Sequence, residues 1–341
     1  MKTKQIVFTG VNEAKLLEKE LPQLKPNSVL VKTVFSTISG GTEKANITGD
    51  INISAVKTYS KATFPRSAGY SSSGIVEAVG EDVKSVQVGD RVAMIWSQHQ
   101  GYNLLPEDRI IKLESEALSL ESAALGFIST FPLAAIRKTK LEIGESALVM
   151  GLGILGILAV KLLKIGGAVP IIAADPNPAR RTLALQSGAD YAFDPMEPDF
   201  ASRVKEVSGG GVNVAIEVTG VGAGLNGALD CMAKFGRVAL LGCTRNSDFT
   251  VDYYHKIHGP GITLIGAHTL ARPEKESYPG YFTHQDDMRA VLKLCAMGRL
   301  KTEDLISETH SPVDCGEVYG RLVFDRDFPV GVQFDWRCLD E

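Results

Sequence analysis

Three glycines and one acid carry the plainest chemistry in this chain. The glycines lie in Gly151-Leu152-Gly153-Ile154-Leu155-Gly156, at G-x-G-x-x-G spacing, and the acid is Asp175. Gly151 suits a tight turn, Gly153 lets a backbone approach a pyrophosphate, and Gly156 lets a helix pack close on a strand. The apolar run Ala147 to Met150 reads as a buried strand before the turn. Ile154 to Lys164 has the length and composition of a helix after it. The amides that open this helix, those of Ile154 and Leu155 among them, would offer free N–H groups and positive dipole to phosphates. A second apolar run, Pro170 to Ala174, ends at Asp175, about twenty residues past the last glycine, where a carboxylate can accept both hydroxyls of an adenosine ribose. The set reads as a dinucleotide grip. Asp175 repels a 2′-phosphate and so favours NAD. Arg180 and Arg181 pull the other way, because an arginine there can hold such a phosphate.

The rest of the chain must supply the sheet that carries this grip. From Ser146 the rhythm is strand and helix in alternation. Strands are expected at Ala147 to Met150, Pro170 to Ala174, Asp190 to Phe193, Val212 to Gly220 (strand then turn), Gly236 to Gly242 and Ile262 to Ile265, with helices at Pro178 to Ser187, Phe200 to Val207 and Leu225 to Lys234. Six strands with intervening helices predict a doubly wound parallel sheet. Ligands then sit at the strands' C-terminal ends, which adds Thr219, Gly220, Gly242, Cys243, Ala267 and His268 to the expected cofactor contacts. Before Ser146 the chain has short strands cut by glycine and turn residues, such as Ser28 to Phe35, Ser73 to Gly80 and Val92 to Trp96. That pattern suggests a small β-barrel. Ser36 to Asp50 reads as a loop rich in small and polar residues. The expected division is 1–125 for the barrel, 126–267 for the nucleotide unit and 268–341 for a return to the barrel.

Composition narrows the partners. The chain has 341 residues, 44% hydrophobic and 22% charged, with a formal net charge of −4. No basic run occurs, so nucleic acid and anionic membranes are not expected partners. The longest apolar run is broken by glycines and falls short of a membrane span. Five scattered cysteines fit a reducing cytoplasm rather than a disulfide frame. His255, His258, His268, His284 and His310 have no metal-ligand spacing.

The order of these parts resembles the medium-chain dehydrogenase/reductase superfamily over nearly the whole chain. The marks are Lys25-Pro-Asn-Ser-Val-Leu-Val-Lys, the Gly41-Thr42-Glu43 loop, Gly69-Tyr70 leading to Gly74-Ile-Val-Glu-Ala-Val-Gly80, Val88-Gly-Asp-Arg-Val92 and the glycine turn itself. The resemblance implies a GroES-like barrel domain beside a Rossmann nucleotide-binding domain, and hydride transfer between an alcohol and a nicotinamide. It also implies subunit pairing through the last sheet strand, Thr263-Leu-Ile-Gly-Ala, hence a homodimer or a tetramer.

The departures bear on mechanism. Zinc-dependent members carry a cysteine just before the Gly-Thr-Glu loop, where this chain has Gly40. They carry His-Glu after the next glycine, where it has Tyr70-Ser71. They carry a further cysteine near the start of the nucleotide domain, and Ala124-Leu-Gly-Phe127 has none. The four-cysteine zinc lobe expected after Val92 is missing as well. Zinc needs three or four converging ligands at about 2.0–2.3 Å, so no metal is expected. The Ser39-Gly-Gly-Thr-Glu loop is similar to that of a metal-free branch near the bacteriochlorophyllide and sugar-type dehydrogenases. Without metal, a side chain must take the hydroxyl proton. Thr42, Glu43, Tyr70 and His99 are the candidates, because the family points their loops into its active site. The leading expectation is a zinc-independent, NAD-dependent enzyme interconverting a secondary alcohol of sugar, glycoside or polyol type and its ketone. An enone or quinone reductase and a non-catalytic NAD(H)-binding protein remain as alternatives.

Overall fold

The computed structural model describes residues 1–54, 57 and 59–339. The chain divides into two compact units: Met1–Ile128 together with Met288 onward, and Ser129–Asp287.

The first unit begins with strands β1 (Lys2–Gly10), β2 (Glu13–Glu20) and β3 (Ser28–Thr37), then helix α1 (Gly40–Ile47). It continues through β4 (Arg66–Ser67), β5 (Ser71–Val79), β6 (Arg91–Ile95), β7 (Tyr102–Pro106), β8 (Ile110–Lys112) and the short helix α2 (Leu120–Ala123). Helix α3 (Gly126–Thr139) carries the chain into the second unit. Helix α1 corrects the expectation of a loop over Ser36 to Asp50. Its start is fixed from within: the Glu43 carboxylate turns back to accept the Ser39 N–H at 2.9 Å, while the Glu43 N–H donates to the Ser39 carbonyl. Only the acid's half of a capping box is present, because the Ser39 side chain makes no cap hydrogen bond, and composition alone hides it.

The second unit runs β9 (Ala147–Met150), α4 (Ile154–Ile165), β10 (Ile171–Ala174), α5 (Pro178–Ser187), β11 (Tyr191–Phe193), α6 (Phe200–Val207), β12 (Val212–Glu217), α7 (Gly222–Asp230), β13 (Met232–Leu240) and β14 (Thr263–Gly266). The sheet order is β11-β10-β9-β12-β13-β14, and every pairing is parallel. Strand order reverses between β9 and β12, the switch point where such sheets bind ligands. The central strands β9 and β10 are fully buried apolar runs, as a parallel sheet with both faces covered requires, while the edge strand β14 is mostly exposed. Leu148, Ile172, Ala215 and Val238 sit in the core at 0% exposure. The expected helix over Leu225 to Lys234 ends early, since β13 already begins at Met232. Buried Met232 joins the core from the strand and not from the helix.

The chain returns through α8 (His284–Ala296), then β15 (Ile306–His310), α9 (Cys315–Phe324) and β16 (Gly331–Asp335). The main sheet of the first unit reads β15-β16-β3-β5-β6-β8, with β7 also on β3. Strand β16 pairs antiparallel with β3, so the C-terminal stretch completes the barrel unit, and its Tyr319, Phe334 and Trp336 share a core with Ile6, Phe8 and Ile38. The return begins at Met288 rather than at 268. Residues between the two positions are tied into the second unit: Arg272 pairs with Asp287 at 2.6 Å and donates to the Thr130 carbonyl, and Lys138 donates to the Ala271 carbonyl.

Candidate active site

In the second unit the glycine turn and Asp175 close on one another. Asp175 follows β10 directly, and its Oδ2 accepts the Leu152 N–H at 2.8 Å while Oδ1 accepts the Asn177 N–H at 2.8 Å. Gly151 has φ +94°, where side chains are disfavoured, and a Cβ there would lie 2.9 Å from Thr219 Cγ2. A Cβ on Gly156 would strike the Gly151 carbonyl oxygen at 1.9 Å, so this glycine is what lets α4 lie against the turn. A Cβ on Gly153 meets nothing within 4 Å. Its bareness serves no internal packing, and the open space suits a close-approaching ligand. Ile154 is buried and Leu155 half-buried at the start of α4, whose first amides have no intrahelical partner. The residues present therefore fit a dinucleotide.

The two arginines separate. Arg181 donates to the carbonyls of Asp175 and Pro176 and pairs with Asp194 at 3.2 Å. Arg180 stands 3.9 Å from Asp175 Oδ2 and is one-third exposed. Asn177 caps α5 through the Ala179 and Arg180 amides, ahead of Pro178.

The remaining expected contacts lie at strand ends. A Cβ on Gly220 would lie 2.5 Å from the Cys243 carbonyl oxygen, and one on Gly242 would lie 2.4 Å from the Gly220 nitrogen. These two glycines let the ends of β12 and β13 touch. Cys243 is exposed beside them. Thr219 is held by Glu217, a residue the sequence reading passed over. The buried Glu217 carboxylate accepts the Thr219 N–H at 2.8 Å, the Thr219 hydroxyl and the Gly220 N–H at 3.2 Å. Burial raises its pKa against these bonds. An acid closing the apolar run of β12 was the available signal. Ala267 is buried after β14, its N–H on the Leu240 carbonyl. His268 is half-buried, and burial with the nearby charges of Lys138 and Arg245 pushes its pKa down.

In the first unit, three of the four catalytic candidates converge, but not as an open site. Glu43 is 2% exposed and His99 0%. The His99 Nε2 faces Glu43 Oε2 at 3.2 Å, and Nδ1 lies 2.7 Å from Ser36 Oγ, which also accepts the Trp336 Nε1–H at 2.8 Å. A nitrogen facing a carboxylate carries its proton, so the His99 Nε2–H donates to Glu43; this tautomer is inferred from the partners. Tyr319 on α9, fully buried, donates its hydroxyl to Glu43 Oε2, and burial and that carboxylate hold its pKa well above 10.0. Glu43 thus receives the Ser39 N–H, His99 and Tyr319. Tyr319 and Ser36 carried no signal in the sequence, because their partners are remote along the chain.

Tyr70 lies beside this group. Its hydroxyl meets Ser39 Oγ at 2.5 Å, and its ring packs edge-on against Trp96 and Phe127, with centroids 5.9 Å away in both cases. Trp96 is held at φ +57°, and Gly69 at φ +87° leaves no room for a Cβ, which would lie 2.7 Å from the His99 ring. Thr42 is half-buried on α1, its carbonyl accepting Asn46 Nδ2 at 2.9 Å. At the other position expected for a metal ligand, Ser71 Oγ donates to the Ala124 carbonyl at 2.7 Å and accepts the Ile128 N–H at 3.2 Å. Among the described residues no group of three His, Cys, Asp or Glu side chains could hold a metal ion.

Two family models match this chain. The alcohol dehydrogenase GroES-like domain covers residues 25–126 and the zinc-binding dehydrogenase model covers residues 155–284. The chain belongs to the medium-chain dehydrogenase/reductase superfamily. The family is one of oxidoreductases, and its alcohol-dehydrogenase-like members match both units of this chain. The (R,R)-butanediol dehydrogenase of Bacillus subtilis is 29% identical over 85% of this chain and 87% of its own length. The D-guloside 3-dehydrogenase of Escherichia coli is 25% identical over 97% and 100%. The crystal structure of the B. subtilis 2R,3R-butanediol dehydrogenase superposes with TM-score 0.82 at 26% identity, over 98% of this chain and 99% of that one. An E. coli alcohol dehydrogenase solved with NADH superposes with TM-score 0.82, over 98% and 99% of the two chains, and a Sinorhizobium meliloti protein solved with NADP with 0.81 over the same shares. At 19% identity these last two speak to the fold alone. The α/β reading, a barrel unit joined to a Rossmann sheet, is borne out. The second model's name includes zinc binding; at the positions where the resemblance expects ligands this chain has Gly40, Tyr70 and Ser71.

Proposed function

We propose that this chain is a zinc-independent, NAD-dependent oxidoreductase that interconverts a secondary alcohol of polyol or sugar type and its ketone. The observation that carries the cofactor half is the Asp175 carboxylate bound to the Leu152 N–H of the glycine turn. A carboxylate fixed there accepts ribose hydroxyls and opposes a 2′-phosphate. Arg181 supports NAD over NADP, because its guanidinium is committed to carbonyls and Asp194. Bound nicotinamide supplies hydride exchange with the carbinol carbon. The chain's part is to seat the dinucleotide on the α4 amides and Asp175, and to manage the hydroxyl proton without a metal. The polyol or sugar class rests on relatives named butanediol, sorbitol and D-guloside dehydrogenases.

We also propose a homodimer. β14 is the edge strand of its sheet, its Leu264 is 38% exposed, and Phe235 beside it is 79% exposed. An uncovered apolar edge favours pairing with a second copy. Five free cysteines fit a reducing compartment such as the cytoplasm. No helix among the described residues is long and apolar enough to cross a membrane.

The test is a fluorescence titration of metal-analysed protein with NADH and NADPH, followed by a polyol and sugar screen with NAD. Tighter NADH binding, and turnover that survives a chelator, is expected. NADPH preference favours an enone reductase instead. NADH binding without any turnover favours a non-catalytic binder. Stoichiometric zinc overturns the metal-free reading, and a monomeric mass in solution overturns the dimer.

A further inference from the structure

The geometry points to His268 as a hydrogen-bond donor to the nicotinamide half of the bound dinucleotide, with Lys138 as the residue that positions it. This inference rests on the NAD reading above and deepens it. Every residue it uses lies in the second unit.

Asp175 follows β10 and the glycine turn follows β9, while β12, β13 and β14 continue the sheet on the other side of β9. A dinucleotide whose adenosine ribose meets Asp175 and whose pyrophosphate meets the glycine turn therefore carries its nicotinamide half toward the ends of β12 to β14. The last of those ends is the turn from Gly266 to Ala271. The Ala267 N–H donates to the Leu240 carbonyl at 3.1 Å, and the Ala271 N–H to the His268 carbonyl at 2.9 Å. The Leu270 N–H donates to His268 Nδ1 at 3.2 Å. An imidazole nitrogen that accepts a backbone amide carries no proton. His268 is therefore neutral with its proton on Nε2, a tautomer assigned from its partner. Among the described residues Nε2 has no hydrogen-bond partner, and the ring is only half-buried. It is a donor without an acceptor.

Two buried cations staple this turn to α3. Lys138, 5% exposed, donates to the Gly266 carbonyl at 3.1 Å and to the Ala271 carbonyl at 2.6 Å, one at each end of the turn. Arg272, next in the chain, donates to the Thr130 carbonyl at 2.6 Å and pairs with Asp287 at 2.6 Å. A cation taken out of water must be bonded to be tolerated. Arg272 has its carboxylate. Lys138 has carbonyls and, among the described residues, no ion pair, so its charge acts on what lies around it. The charged groups that act on His268 are Lys138, from α3, and Arg245, from the segment after β13, and with burial they push its pKa down. Charge and geometry thus agree. The turn is closed around a neutral ring, and a proton on Nδ1 would face the Leu270 N–H and open it.

The test uses the full chain. His268→Phe keeps a ring and removes both nitrogens. Its Kd for NADH, read by fluorescence, is expected to rise by about 3- to 10-fold, the size of one neutral hydrogen bond. Its Kd for ADP, which lacks the nicotinamide half, is expected to change by less than about twofold in calorimetry. His268→Gln, whose amide nitrogen reaches near the Nε2 position, is expected to recover part of the loss. In NMR of protein labelled with nitrogen-15 at histidine, the His268 signals are the ones absent from His268→Phe. They are expected to show Nε2 protonated and Nδ1 bare at neutral pH, with Nε2 shifting on addition of NADH. Lys138→Met is expected to move the His268 titration to higher pH, because a nearby cation disfavours imidazolium, and to weaken NADH more than ADP. A merely structural lysine would lower the melting temperature and leave that titration and the NADH-to-ADP ratio in place. NADH affinity within about twofold of wild type in His268→Phe overturns the proposal, as do equal losses for NADH and ADP or a proton on Nδ1. An unmoved titration in Lys138→Met overturns the role of Lys138. In each of these cases a wild type that binds NADH keeps the NAD reading, whereas a wild type that binds neither NADH nor NADPH removes that reading and the proposal together.

Discussion

Asp175 and Glu43 are both nearly buried carboxylates that accept a backbone amide, yet they are built for opposite purposes. Asp175 is bound by amides two and twenty-three residues away, Asn177 and Leu152. It stands beside a glycine whose missing Cβ opens onto free space. Glu43 is bound by side chains 56 and 276 residues away, on His99 and Tyr319, and is sealed by them. The first arrangement leaves acceptor capacity for a ligand. The second spends its capacity inside the protein and holds other groups still. Charge and burial alone do not tell them apart. What each carboxylate faces does.

The largest expected effect tests the sealed one. Glu43→Ala leaves three buried donors without a partner, and breaking such a buried charged cluster costs about 3–5 kcal/mol. A drop in melting temperature of that scale is expected in thermal unfolding followed by circular dichroism. A variant with unchanged stability and lost turnover would mean instead that Glu43 meets substrate.

Asp175→Ala tests the open one. Hydrogen bonds to a charged group are worth about 1.5–3 kcal/mol, so NADH affinity should fall by roughly 10- to 150-fold. NADPH affinity should fall less, because the repulsion goes with the carboxylate. Fluorescence titration reads both. An unchanged NADH affinity would place the ribose elsewhere.

The same contrast decides what the sequence could reveal. Gly151, Gly153, Gly156 and Asp175 lie within one strand–helix–strand unit, so their spacing along the chain already encodes their spacing in space. The parallel sheet was legible for the same reason, since each buried strand is a continuous apolar run. The helix α1 was not, because the Ser39–Glu43 closure that starts it lies among glycines and polar residues that read as a loop. The anchor around Glu43 was only half visible. His99 and Glu43 could be nominated by resemblance, but Tyr319, Ser36 and Trp336 come from distant stretches that only the folded sheet brings together. Burial, which turns Glu43 and His99 from candidates into anchors, is a property of packing and leaves no local mark.

Tyr319→Phe is a gentler cut into the anchor. It removes one donor and keeps the ring against Phe8. A loss of about 1–2 kcal/mol at neutral pH is expected. The pH dependence carries the sharper signature. The Tyr319 pKa is raised above 10.0 by burial and by Glu43. Above pH 10 the unfolded chain releases this proton while the folded one keeps it, so folding stability falls as pH rises. Wild type should therefore lose stability more steeply above pH 10 than Tyr319→Phe does in denaturant titrations. Parallel slopes would mean that the hydroxyl is not held by the carboxylate.

The smallest effect belongs to Gly40→Cys, which restores a thiol where zinc-dependent relatives carry one. A Cβ at Gly40 would lie 3.6 Å from Leu322 Cδ1, an ordinary contact, so the fold should tolerate the change to within about 0.5 kcal/mol. A thiol is only one ligand, however, and a zinc site needs three or four. The neighbouring positions offer Tyr70, a phenol already bonded to Ser39, and Ser71, whose hydroxyl is spent between the Ala124 carbonyl and the Ile128 amide. Zinc content by elemental analysis should thus match that of the wild type. Stoichiometric uptake by Gly40→Cys would show that these hydroxyls yield to a metal, and that the difference from zinc-dependent relatives rests on one side chain rather than on a rebuilt hydrogen-bond network.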